Sequence, residues 1–157
     1  MRDSAMELNP MSVHGPEASV CLGRYFDEIA ARFPEGFDRD GDGAAYLDDF
    51  EPPAGVFLVA HILGEPAGCG ALRTFSPGVA EIKRMWVSPE ARGMGVGRKL
   101  LAALEQAARE RRLLTVRLDT HSSLAEALRL YRSAGYREIP RFNDNAYAHH
   151  WFEKTLG

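Results

Sequence analysis

The stretch VSPEARGMGVGRKL, residues 87–100, decides the fold, because it leads from the end of a strand through a glycine-rich loop into an amphipathic helix. Its three glycines, Gly93, Gly95 and Gly97, let the backbone turn tightly and approach a ligand closely. The helix directs unpaired N–H groups and the positive end of its dipole at the loop. This combination predicts a phosphate-binding loop.

Two better-known phosphate loops have a different spacing. A Walker A loop requires Gly-Lys-Ser/Thr, whereas Gly97 is followed by Arg98, Lys99 and Leu100. A dinucleotide fingerprint reads G-x-G-x-x-G, whereas the glycines here are spaced G-x-G-x-G. A glycine-rich surface turn is the remaining alternative, but the charges of Arg92, Arg98 and Lys99 favour an anion site.

Apolar periodicity and turn residues predict the elements on either side of the loop. Before the loop they are a strand at 6–10, helices at 18–33 and 44–50, and strands at 56–62, 67–75 and 79–87. After it come a helix to about residue 112, a strand at 113–119, a helix to Ala134, and strands at 136–139 and 149–155. Ser122 or Ser123 is predicted to cap the start of the helix that runs to Ala134, with Glu126 completing a capping box. This order describes one α+β domain over residues 1–157, with a partly flexible segment at 1–16.

Two segments resemble the GNAT (GCN5-related) N-acetyltransferase superfamily. Its signature [RQ]-x-x-G-x-[GA] is matched at Arg92, Gly95 and Gly97, at the start of the helix. A second family segment, L-Y-x-x-x-G-[FY], is matched by LYRSAGY at residues 130–136. The resemblance implies a GNAT-like α+β domain with a mixed central sheet of about six to seven strands flanked by about four helices. It also implies acetyl-CoA (coenzyme A) as the co-substrate.

The same resemblance implies where the coenzyme binds. The backbone of three strand residues would pair with the pantetheine arm, and the N–H groups of the loop would hold the diphosphate. His121 is the nearest match to an asparagine that often contacts the coenzyme in this family; the alternative is an ordinary loop residue. The implied coenzyme-binding residues are Met85, Trp86, Val87, Arg92, Gly93, Met94, Gly95, Val96, Gly97, Arg98 and His121.

Acetyl transfer to an amine requires removal of a proton from the amine, donors for the tetrahedral oxyanion and a proton donor for the departing thiolate. Tyr131 matches the catalytic tyrosine of the family, and a phenol with a pKa near ~10 is protonated at neutral pH. Glu81 matches a glutamate of the histone-modifying members and is the predicted base. The alternatives are a core tyrosine and a strand glutamate paired with Lys83 or Arg84.

Charge is unevenly distributed along the chain. Residues 1–51 hold four arginines and no lysine against twelve acidic residues, whereas residues 52–157 hold fifteen basic residues against ten acidic ones. A solvated surface of uneven composition is one explanation; a cationic acceptor or amino acid beside an anionic coenzyme is the other. The resemblance places the acceptor between the first two helices and the last strands. The implied acceptor residues are Tyr25, Phe37, Asp38, Tyr46, Asp49, Asn143 and Tyr147, with Asn145 and His149 beside them.

No metal site is predicted. The start of a calcium loop is matched by Asp38, Asp40, Asp42 and Gly43, with Asp49 at the twelfth position. Pro34 and Gly36 interrupt the helix that would enter such a loop, so a solvated loop is favoured. His149 and His150 are adjacent in a predicted strand, where neighbouring side chains point to opposite faces.

These observations predict an N-acetyltransferase that moves acetyl from acetyl-CoA to a primary amine of a small molecule by direct attack in a ternary complex. Protein N-terminal or lysine acetylation and a non-catalytic acyl-CoA-binding module are the alternatives. A pI of about 6.0 without a basic and aromatic stripe argues against a nucleic-acid partner. No apolar run approaches the ~18 residues that span a bilayer, so a cytoplasmic location is expected. The aromatic C-terminal segment leaves a homodimer contact open.

Overall fold

The computed structural model of the chain describes residues 6–39 and 41–157. Asp40 of the calcium-like loop and residues 1–5 of the predicted N-terminal segment lie outside the described residues. The strands are β1 (Met6–Pro10), β2 (Val56–Ile62), β3 (Glu65–Ser76), β4 (Val79–Val87), β5 (Thr115–Thr120), β6 (Arg137–Ile139) and β7 (His150–Thr155). They form one mixed sheet in the order β1-β2-β3-β4-β5-β7-β6, which confirms the predicted α+β class.

The described part of the chain has three α-helices, α1 (Pro16–Arg32), α2 (Val96–Glu110) and α3 (Ala125–Ser133), where about four flanking helices were expected. The helix predicted at 44–50 is wrong: Asp42–Ala44 and Leu47–Phe50 are separate 3₁₀ turns. Tyr46, between them, has a left-handed backbone with φ of 68°. A segment this short cannot offset the cost of nucleating an α-helix, so tighter turns replace it.

The predicted capping box at the start of α3 is also wrong. The helix begins at Ala125, and no side chain caps it. The carboxylate of Glu126 binds Arg32 of α1 instead, and the N–H of Ser123 donates to Nδ1 of His121. Long-range partners therefore replaced the local capping interactions that the sequence pattern predicts.

The gap in the sheet that holds the site lies between β4 and β5. These parallel strands pair only from Val79 to Glu81, opposite Thr115 to Arg117, although both strands continue beyond that point. The pairing of β3 with β4 shifts register beside Arg84, whose φ is 61°. Such a bulge bends a strand, so the second half of β4 is left without a neighbour on its β5 side.

Both faces of the sheet are covered by helices. Leu58 of β2 belongs to the core that α2 completes with Leu100 and Leu104, whereas Phe57 and Val59 belong to the core beneath α1. Alternating side chains of one strand thus enter opposite layers. The two cysteines, at positions 21 and 69, are buried and free. Among the helices that the structure describes, none has the length and apolarity needed to cross a bilayer.

Candidate functional site

Two cavities meet where β4 and β5 separate. The larger has a volume of about 810 Å³ and extends along the glycine-rich loop between α1 and α3. The smaller, about 170 Å³, lies toward the loop that joins β6 to β7. Residues that line both cavities are Tyr25, Ile29, Met85, Leu124, Ala127 and Tyr131. A long ligand in the larger cavity can therefore present its end to a molecule in the smaller one.

The glycine-rich loop has the geometry of an anion site. Gly93 and Gly95 have φ of 85° and 81°, a region that side chains disfavour, and no atom lies within 4 Å of where a Cβ would stand. In the described part of the chain, the N–H groups of Val96, Gly97 and Arg98 have no backbone acceptor. These N–H groups and the positive end of the α2 dipole make an anion favourable at this place.

Most of the coenzyme-binding residues implied by the sequence line the larger cavity. Those that do are Met85, Trp86, Val87, Arg92, Gly93, Gly95, Val96, Gly97 and Arg98. Met94 does not line it and is 53% exposed. His121 lines the smaller cavity and not the larger one, and its contact with the coenzyme stays a prediction.

Charged residues of α1 and α3 also line the larger cavity, and the sequence analysis did not identify them. The guanidinium of Arg32 binds the carboxylate of Glu126 with two hydrogen bonds of 2.7 and 2.9 Å. This bidentate pair lowers the pKa of Glu126 to about 2. Arg92 binds Glu28 of α1 and donates from Nε to the carbonyl of Val87 at 3.2 Å. The pairs hold α1 against α3 and against the loop.

Tyr131 stands at the junction of the two cavities. Its side chain is buried, and in the described residues its hydroxyl has no hydrogen-bond partner. Burial raises the pKa of Tyr131 well above its usual value, and the nearby Tyr25 and Asp119 raise it further. Burial likewise raises the pKa of Tyr25 to about 12. Both phenols therefore keep their protons at neutral pH.

Glu81 lies beside the site but lines neither cavity. Only 2% of it is exposed, and its carboxylate accepts hydrogen bonds from Arg73 at 2.9 Å, Lys83 at 3.4 Å and Asn143 at 2.9 Å. Its role as the base stays a prediction. The pairing with Lys83 gives it another role, that of a counter-ion for buried cations.

The predicted acceptor residues separate into two groups. Those that line the smaller cavity are Tyr25, Phe37, Tyr46, Asn143, Asn145 and Tyr147. Asp38 and Asp49 do not line it: Asp38 accepts from the N–H of Gly41 at 3.0 Å, and Asp49 binds Arg73 at 3.0 Å. Of the first and twelfth positions of the calcium-like loop, Asp38 thus bonds within the loop and Asp49 is paired with a cation.

A cluster of Glu35, His121 and His149 has the residue types and spacing of a metal site, since one ligand atom from each lies within 4.8 Å of the others. A histidine that binds a metal normally donates its other ring N–H to an acceptor. Here Nδ1 of His121 accepts from the N–H of Ser123, and Nδ1 of His149 accepts from that of Ser122. The remaining ring nitrogens therefore carry the protons, and the nitrogen of His121 donates to Glu35 at 3.2 Å. This arrangement does not suit a metal.

Comparison with known proteins identifies a family model and relatives that agree with one another. The model of the Acetyltransferase (GNAT) family matches residues 23–136. An uncharacterized N-acetyltransferase of Schizosaccharomyces pombe is 34% identical over 108 residues, which is 68% of this chain and 66% of that protein. The IAA acetyltransferase of Azospirillum brasilense is 41% identical over 83 residues, which is 52% of this chain and 54% of that protein. The matches thus span about half to two thirds of these relatives.

Among solved structures, a Klebsiella pneumoniae protein described as an acyl-CoA N-acyltransferase superposes with a TM-score of 0.79. The two sequences are 27% identical, and the superposition covers 97% of this chain and 98% of that one. The likeness therefore extends over both cavities and not only over the glycine-rich loop.

Proposed function

Because the chain belongs to the GNAT acetyltransferase family, we propose that it transfers the acetyl group of acetyl-CoA to a primary amine of a small molecule. The observation that carries the proposal is the junction of the two cavities at Tyr131. The larger cavity has a volume typical of sites for extended ligands, and the smaller one holds the acceptor.

The coenzyme binds along the larger cavity in this proposal. Its diphosphate lies against the unpaired N–H groups at the start of α2, and its pantetheine arm follows Met85 to Val87, where β4 has no strand on its β5 side. The thioester then lies at the junction of the cavities. Binding both reactants there replaces a bimolecular encounter with a reaction inside one complex.

The amine nitrogen, once it has lost a proton, attacks the thioester carbonyl carbon. The tetrahedral intermediate then breaks its carbon–sulfur bond, and the electron pair of that bond remains on sulfur. Tyr131, whose pKa is raised by burial, still holds a proton and donates it to the departing thiolate. The nitrogen gives up its second proton as the amide forms, and an equivalent proton restores the phenol. Backbone N–H groups near Met85 to Val87 are proposed to stabilise the oxyanion, and Glu81 remains the proposed base for the amine.

The smaller cavity favours a small acceptor over a protein chain. Its volume of about 170 Å³ is enclosed by side chains from α1, the 3₁₀ segment and the β6–β7 connection. A hydrogen bond of 2.9 Å from the N–H of Asp38 to the hydroxyl of Tyr147 joins the loop after α1 to the β6–β7 connection. A lysine or an N-terminus within a folded protein would have to enter past that contact.

An assay of thiol release from acetyl-CoA tests the proposal against a panel of alkylamines, amino acids, aminoglycosides and short peptides. We expect turnover with at least one small amine and weaker turnover with the peptides. Calorimetry with coenzyme A tests the first step separately. Absence of coenzyme binding would remove the proposed function altogether, and preference for peptides would favour the protein-modifying alternative.

A further inference from the structure

Asp119 is an acidic residue of the smaller cavity that the sequence analysis left unassigned. It lies near the end of β5, beyond the point where β4 and β5 cease to pair, and its side chain lines the cavity. Its negative charge raises the pKa values of Tyr25 and Tyr131, although burial contributes more. Asp119 is therefore electrostatically coupled to the two phenols at the junction of the cavities.

Two asparagine amides hold the carboxylate of Asp119. Nδ2 of Asn143 donates to Oδ2 at 2.6 Å, and Nδ2 of Asn145 donates to Oδ1 at 3.0 Å. The orientation of the Asn143 amide follows from its other contacts, because its Oδ1 accepts from Nε1 of Trp151 and from the N–H of Asn145. Its Nδ2 must then face acceptors, which are the carboxylates of Asp119 and Glu81.

The two carboxylates that share this amide differ in charge balance. Glu81 is neutralised by Arg73 and Lys83. Asp119, in the part of the chain that the structure describes, accepts hydrogen bonds from neutral amides and forms no ion pair. A buried or half-buried carboxylate without a counter-ion is costly unless a ligand supplies the positive charge.

The other charged groups that line the smaller cavity either have partners within the protein or are exposed. Lys83 lies beside Glu81, Arg84 donates to the carbonyl of Ala45 at 2.9 Å, and His121 is bound to Glu35. Asp144 is exposed at the cavity edge. Asp119 is thus the carboxylate that is both inside the cavity and positioned by two fixed donors.

We propose that Asp119 binds the ammonium group of the acceptor, and that Asn143 and Asn145 are positioning residues for its carboxylate. The protein therefore selects acceptors that are protonated in solution over neutral nucleophiles of the same shape. This inference rests on the proposed function, because it names the acceptor class of that site. The ammonium ion docks first against Asp119, and it gives up a proton to the proposed base, Glu81, before the nitrogen attacks.

The test compares two acceptors of equal length, a primary alkylamine that is charged at pH 7 and an O-alkylhydroxylamine that is neutral. For Asp119→Asn we expect kcat/KM with the alkylamine to fall about 10- to 100-fold, as for loss of a charge-assisted hydrogen bond. With the neutral acceptor it should change less than about 3-fold, since no ion pair is lost. Asp48→Asn removes the same charge from an exposed carboxylate outside both cavities and should leave both rates unchanged.

Asn145→Ala gives the same test if Asp119→Asn does not fold, because it removes one donor and keeps the carboxylate. It should also lower kcat/KM for the charged acceptor selectively. Equal losses with both acceptors, or a selective loss in Asp144→Asn instead, overturn the role of Asp119 while the proposed function stands. Failure of the wild-type protein to acetylate either acceptor, with coenzyme bound, overturns the proposed function and this inference together.

Discussion

Replacement of Tyr131 by phenylalanine should change the rate of reaction and not the stability of the fold, because the hydroxyl that it removes has no hydrogen-bond partner in the described residues. The ring packs near Tyr136 and Phe152, with centroid distances of 6.1 and 6.2 Å, and phenylalanine keeps both contacts. Because this hydroxyl makes no hydrogen bond to another described group, its removal costs no internal hydrogen bond. We therefore expect the free energy of unfolding to change by less than about 1 kcal/mol.

The effect of Tyr131→Phe on turnover should be large. A positioned general acid contributes about 10²- to 10⁴-fold to a rate, so kcat should fall at least about 100-fold, or roughly 2.7 kcal/mol of barrier. Because the pKa of Tyr131 is raised, its proton is held through the neutral and mildly alkaline range. The wild-type pH–rate profile should accordingly show no fall in rate from deprotonation of this hydroxyl below about pH 10.

Tyr136→Phe is the matched control for this experiment. Tyr136 is equally buried, but its hydroxyl donates to Glu105 at 2.8 Å and lines neither cavity. Loss of that bond leaves a buried carboxylate with one donor fewer, so stability should fall by about 1–3 kcal/mol while kcat is kept. The measurements are kcat from thiol release, coenzyme affinity from calorimetry and unfolding in urea. An unchanged kcat in Tyr131→Phe, or a loss that follows reduced coenzyme affinity, would refute the reasoning.

Three further predictions concern the loop, the α1–α3 contact and the acceptor. Gly95→Ala should lower stability by about 1–2 kcal/mol because its φ is 81°, and it should weaken coenzyme binding in calorimetry. Gly64→Ala has the same strain, at φ of 83°, but Gly64 lines neither cavity, so this variant should leave coenzyme affinity intact. Glu126→Gln should lower the urea midpoint at neutral pH. Because the folded pKa of Glu126 is depressed to about 2 from 4.5, the wild-type advantage is present above pH 4.5 and disappears as the pH falls through about 2. Added salt should raise KM for a cationic acceptor, measured by thiol release, since screening weakens its attraction to Asp119; an unchanged KM would count against a charged acceptor.

The coenzyme half of the site was predictable because its signals are local. Gly93 and Gly95 are adjacent in sequence to the helix whose N–H groups they expose, and each adopts the backbone conformation that favours glycine. Nine of the eleven predicted coenzyme residues line the larger cavity for the same reason. The match for His121 depended on its distance along the chain and not on the direction of its ring; the ring stacks on that of Phe33, with 3.9 Å between the ring centroids, and lines the smaller cavity.

The wrong prediction of a capping box at α3 has a physical cause that lies far away in the sequence. Ser123 and Glu126 have the spacing of a capping box, but Arg32, more than 90 residues away, offers Glu126 a bidentate ion pair and takes the carbonyl of Ser123 as well. A charged partner outweighs a backbone cap of about 1 kcal/mol. No local pattern could reveal that competition, because the distance between α1 and α3 is set by the sheet.

Six predicted acceptor residues line the smaller cavity, but the proposed centre of that half of the site, Asp119, could not be predicted from sequence for a related reason. Its central carboxylate is on β5, the two amides that orient it are on the β6–β7 connection, and the neighbouring carboxylate of Glu81 is on β4. Those elements meet only because β4 and β5 separate and β7 lies on the far side of β5. The residues proposed to bind the coenzyme lie close together in the sequence, so substitutions in the β6–β7 connection can change which amine is bound without altering them. Exchange of residues 140–148 should therefore alter acceptor preference and leave coenzyme affinity unchanged.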